Sequence, residues 1–128
     1  MPVRWAAAIA LALAASLLLA ACGGGGAGAP ASPVTTATVR AVRTIRFDRS
    51  ALTVAADRDV EITFVNEDTG IAHNLAIYRD SAFREKLYGT EIREAPHQAT
   101  LTVRLAPGRY YFRCDVHPAQ MRGTLVAR

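Results

Sequence analysis

Lysine is nearly missing from this chain: fourteen of its fifteen basic residues are arginine, and after Arg4 they are scattered from Arg40 to Arg128. That scatter argues against the basic stripe with which proteins track phosphates, so no nucleic-acid partner is expected. The net charge of +4 leaves only a weak preference for acidic partners. Histidine and cysteine are scarce too, at three and two residues. Three imidazoles are too few for a multinuclear metalloenzyme site, and no catalytic residues are expected. Met- or His-rich tracts, which would suit a metal buffer, are absent, and so is any internal repeat. At 128 residues the chain suits one domain plus a targeting segment, not two domains with separate cores. A monomer is expected.

Charge is absent altogether from residues 5–21, which end in Leu19-Ala20-Ala21 just before Cys22. Preceded by Arg4, this run resembles a bacterial lipoprotein signal peptide, which implies cleavage before Cys22 and acylation of its sulfur. Seventeen uncharged, mostly apolar residues also reach the lower end of the roughly 17–25 that span a bilayer, so a membrane anchor is one alternative. An ordinary signal peptide cleaved after Ala21 is another. Small residues before Cys22 and glycines after it favour lipidation, because a peptidase needs extended, unhindered backbone there. Residues 22–36 are rich in Gly, Ala, Pro, Ser and Thr and read as a tether that cannot offset chain entropy by burial. The folded domain is then 37–128, outside the cytoplasm and held to the cell envelope by lipid. Cys114 becomes the one remaining thiol. In an oxidising compartment such a thiol is buried, reactive or bound to a metal.

Within 37–128 the hydrophobic period is two. Val60, Ile62 and Phe64 alternate with Glu61 and Thr63, and Leu101, Val103 and Leu105 with Thr102 and Arg104. Ala106-Pro107-Gly108-Arg109 suits a type II turn, since Pro fixes a negative φ and Gly accepts a positive one. A hairpin is expected there, with Tyr110, Phe112 and Cys114 on one face of its second arm. Further strands are expected over 39–47, 51–54, 72–78 and 123–127, and one short helix over 81–87. Many short strands without repeated helices predict an all-β fold, an antiparallel β-sandwich or Greek-key barrel.

The run Cys114-Asp115-Val116-His117-Pro118-Ala119-Gln120-Met121 places a thiolate, an imidazole and a thioether close together. These soft or borderline donors suit copper better than magnesium or calcium, which prefer oxygen. A blue-type site needs a second histidine. His73 is the best candidate, sharing strand parity with Leu75 and Ile77 after the turn-like Glu67-Asp68-Thr69-Gly70. His97, in a polar stretch after Pro96, reads as a surface imidazole.

Asn66, His73-Asn74, Leu105-Ala106-Pro107-Gly108-x-Tyr110-x-Phe112-x-Cys114 and the Cys-x2-His-x3-Met loop together resemble the cupredoxins. The resemblance implies a Greek-key β-sandwich, one type 1 copper on His73, Cys114, His117 and Met121, and outer-sphere electron transfer with redox protein partners. It also implies that Asn74 acts behind the ligands, its backbone N–H near the Cys114 sulfur and its side chain tied to the segment at Asp115. The loop departs from the subfamilies: three residues separate His117 from Met121, where plastocyanins have four and amicyanins two. A copper chaperone using the same ligands is the competing expectation.

Overall fold

The computed structural model describes residues 31–128, so the 1–21 leader, Cys22 and most of the tether lie outside the described residues. Eleven strands follow in chain order: β1 Thr36–Val42, β2 Arg46–Phe47, β3 Ala51–Val54, β4 Asp59–Asn66, β5 Ala72–His73, β6 Ala76–Tyr78, β7 Lys86–Gly89, β8 Arg93–Glu94, β9 His97–Arg104, β10 Gly108–Arg113 and β11 Arg122–Ala127. One sheet has the order β2-β1-β4-β9 and the other β3-β11-β10-β6-β7, while β5 and β8 form a separate pair. The two larger sheets pack face to face as a β-sandwich. Val60, Ile62 and Phe64 from one sheet and Tyr110, Phe112 and Cys114 from the other all join the buried core, as alternation requires. Phe47 links the layers, with its ring 6.5 Å from Phe64 and 5.5 Å from Phe112.

Several expectations need correction. The sheets are mixed rather than antiparallel, because β1 runs parallel to β4 and β3 parallel to β11. The hairpin across Pro107 does not form: β9 pairs with β4, β10 pairs with β6 and β11, and the connection crosses between sheets. Gly108 has φ +159°, extended backbone at the start of β10 rather than the near +80° of a type II turn. The Tyr110 hydroxyl instead donates to Ala106 O at 2.9 Å and pins this corner.

The expected helix over 81–87 is also absent. Asp80 accepts from the backbone N–H groups of Ala82, Arg84 and Glu85, offering them a partner that competes with helical bonding. Phe83 takes φ +54°, outside the helical range, and the chain enters β7 at Lys86. Two strands are shorter than expected. Thr44 and Ile45, at φ +73° and +55°, turn the chain between β1 and β2, and the expected 72–78 strand divides into β5 and β6. Pairing also begins inside the stretch read as tether: Val34 bridges Val54, and the Ala55 N–H donates to Val34 O at 2.9 Å.

Candidate metal centre

The chain leaves one strand at Arg113 and re-enters its neighbour at Arg122, and residues 114–121 between them carry three of the four expected ligands. The Cys114 N–H donates to Met121 O at 2.9 Å and the Met121 N–H to His117 O at 3.0 Å. These bonds draw the loop into a tight return. Cys114 and Met121 are fully buried, whereas His117 is half-buried and its neighbour Val116 is exposed.

His73 reaches the same pole from β5, at 0% exposure. The turn before it is locked by Asn66, whose Nδ2 donates to Ile71 O at 2.8 Å and to Arg93 O at 2.9 Å. Asn66 Oδ1 accepts from the Asp68 N–H at 3.0 Å, and Gly70 supplies the φ of +78° that the turn requires. A feature with no advance signal appears here: Asp68, read only as part of a polar turn, is itself buried, and its Oδ2 lies 2.9 Å from His73 Nε2.

Three donor atoms therefore converge. Cys114 Sγ is 3.7 Å from His73 Nδ1 and 3.8 Å from His117 Nδ1, and the two nitrogens are 3.1 Å apart. Among the described residues these imidazole nitrogens are the groups within hydrogen-bonding reach of the sulfur, and the Asn74 N–H is not one of them. Burial lowers the His117 pKa, and so does the neighbouring His73 ring, against an opposing pull from Asp68. The net effect extends the pH range over which His117 keeps a lone pair for a metal.

Asn74 acts through its side chain: Oδ1 accepts from the Asp115 N–H at 2.8 Å, and Nδ2 donates to Asp115 Oδ2 at 3.2 Å. The Asp115 carboxylate also accepts from Lys86 Nζ, from the Tyr78 hydroxyl at 2.6 Å and from Arg113 Nε at 3.0 Å. Burial alone would raise its pKa, but the donors from Lys86, Tyr78, Asn74 and Arg113 outweigh burial and hold the carboxyl well below the usual range. Because the folded pKa is depressed, this stabilisation is present above the ordinary carboxylate value near 4 and fades as pH falls towards the folded value. Asp115→Ala should cost about 2–3 kcal/mol at neutral pH, since it strips charge-assisted bonds and leaves their donors short of partners. Thermal unfolding against pH checks this, and the gap from wild type should narrow below pH ~4.

His97, expected on the surface, is half-buried. It opens β9 opposite Asn66, and its Nε2 is buried without a hydrogen-bond partner.

A thiolate, two imidazoles and a nearby buried thioether form a soft to borderline donor set, which fits a single type 1 copper and does not suit oxygen-seeking cations. A family model described as "Cupredoxin-like domain" matches residues 7–127. The chain belongs to the cupredoxin-like family. Its fold is similar to that of auracyanin from the photosynthetic bacterium Roseiflexus castenholzii, with a TM-score of 0.69 at 20% identity over 76% of this chain and 99% of that one. Auracyanin A from Chloroflexus aurantiacus, titled a "blue" copper protein, gives 0.63 at 21% identity over 76% and 100%. Rusticyanin from Thiobacillus ferrooxidans gives 0.65 at 19% identity over 75% and 79%. No curated protein matches this chain.

Proposed function

We propose that this cupredoxin is a single-electron carrier, tethered outside the cytoplasm by a lipid on Cys22, that shuttles between membrane-associated redox proteins of cytochrome, oxidase or reductase type. The observation that supports this most is the difference in exposure among four clustered donors. His73, Cys114 and Met121 are at 0% exposure, whereas His117 is half-buried beside exposed Val116, Pro118 and Ala119.

Bound by these residues, copper supplies a one-electron couple between Cu(I) and Cu(II). The chain's contribution is to hold the donors still. Cys114 and Met121 are clamped by backbone bonds, and the segment after Cys114 is held by Asn74 and by the ion pairs of Asp115. Donors that keep their places between oxidation states demand little reorganisation, and the half-buried His117 edge offers a short path to a partner. Apolar Val116, Pro118 and Ala119 around it would form the docking face, desolvated on contact.

The test is optical. Cu(II)-loaded protein should absorb intensely in the visible through thiolate-to-copper charge transfer, and a correctly folded, colourless protein would reject the reading. Met121→Leu should keep the colour and raise the potential by at least ~59 mV, a tenfold change in the one-electron equilibrium, measured by voltammetry. A copper chaperone predicts facile Cu(I) hand-over without reversible cycling. Three fully buried donors oppose ready transfer, and Cu(I) exchange measured beside voltammetry separates the two roles.

A further inference from the structure

Among the described residues Asp68 is the one buried acidic side chain, and it sits with Asn66, His73 and Asn74 at the metal pole. Placing a carboxylate out of water costs several kcal/mol unless strong donors face it. Here the donors are few. Asp68 Oδ2 meets His73 Nε2 at 2.9 Å and the Ile45 N–H at 3.3 Å, and no arginine or lysine is paired with it. A group added only to stabilise the turn has little reason to be ionisable, because the Asn66 side chain already closes that turn with bonds to Asp68 N, Ile71 O and Arg93 O.

The chemistry of the two ring nitrogens gives Asp68 another role. A carboxylate is an acceptor, so the nitrogen facing it must carry the proton, and the other nitrogen is left as a lone pair. That other nitrogen is Nδ1, which faces Cys114 Sγ and His117 Nδ1. His117 has no comparable tie among the described residues, so the two imidazoles are held differently: one is clamped by a buried anion, and the other has a half-exposed edge.

We propose that Asp68 is a positioning residue for the metal centre: its buried carboxylate fixes the His73 tautomer and ring orientation and, through the imidazole, strengthens the donor and favours the more highly charged oxidised ion. The redox part of this inference rests on the copper reading above; the tautomer part does not.

Two variants and two measurements test it. Asp68→Asn keeps the size and an acceptor oxygen but removes the charge, and Asp68→Ala removes both. In metal-free protein, nitrogen-detected NMR of His73 should show Nε2 protonated and Nδ1 bare in wild type, and a mixture of tautomers in Asp68→Ala. In copper-loaded protein, Asp68→Asn should lower Cu(II) affinity about tenfold relative to Cu(I), seen as a rise of about 59 mV in the potential. Asp68→Ala should show that rise and an overall loss of about 10- to 100-fold in Cu(II) affinity. Asp68→Asn carries the test if Asp68→Ala does not fold. An unchanged tautomer and an unchanged potential in the folded variants would overturn the proposal. Wild-type protein that binds no copper would instead overturn the electron-carrier reading, while the metal-free NMR still judged Asp68.

Discussion

Cys114→Ser should abolish the visible band of the copper-loaded protein and lower Cu(II) affinity by more than the ~10–100-fold that loss of an outer-sphere tie costs. The thiolate is the charge-transfer donor, and serine at this position offers a hydroxyl that stays protonated near neutral pH. The fold should survive. Cys114 is a small side chain at 0% exposure, so exchanging sulfur for a buried hydroxyl costs about 1–3 kcal/mol, within the margin of an ordinary domain. Circular dichroism of the metal-free variant should therefore match wild type while absorbance and spin resonance of the copper-loaded form do not. A variant that stayed blue would show that Cys114 is not the thiolate ligand.

The candidate donors were legible in the sequence because their chemistry is rare and the spacing of three of them is local. Cys114, His117 and Met121 lie on one loop, and a thiolate, imidazole and thioether so close together have few structural explanations. His73 was found by strand parity and its neighbouring asparagine. Asp68 was not, since an acidic residue in Glu67-Asp68-Thr69-Gly70 looks like solvated turn, and nothing local distinguishes the exposed Glu67 from the buried Asp68. Only the fold brings Asp68 within 2.9 Å of His73 Nε2.

The same limit explains the errors in topology. Alternation showed which faces of 60–64 and 101–105 are buried, but it carries no information about the neighbour. Hence the parallel partners of β1 and β3 were invisible, and a strong local turn signal at Pro107 suggested a hairpin where the chain changes sheets. The expected helix failed for a more local reason. Asp80 lies just before 81–87, and its carboxylate takes up three of the backbone donors that follow.

Gly123→Ala should be among the most destabilising single-methyl changes the domain can receive. Gly123 lies in β11 directly opposite Phe112, between β10 on one side and β3 on the other. A Cβ there would stand 2.3 Å from Phe112 Cζ, 2.8 Å from Phe112 Cε1 and 2.5 Å from Ser50 O. Neither neighbour yields readily. The Phe112 ring is fully buried with Phe47 5.5 Å away, and Ser50 O is a backbone atom already accepting from the Thr124 N–H at 2.9 Å. Overpacking of this kind costs about 3 kcal/mol, the upper part of the usual range, because both contacts must be relieved together. In a domain of this size that corresponds to a fall of roughly 12–24 °C in the melting temperature. Calorimetry on the metal-free protein measures it without a contribution from bound metal. Shortening the opposing ring in Gly123→Ala/Phe112→Leu should recover part of the loss, so the double variant should be less destabilised than the sum of the singles. Recovery should remain incomplete, because the Ser50 carbonyl still faces the new methyl. A Gly123→Ala protein as stable as wild type would mean that β11 can move away from β3 without cost, and the tight seam between these two strands would not be needed to hold the end of the sandwich that carries Met121.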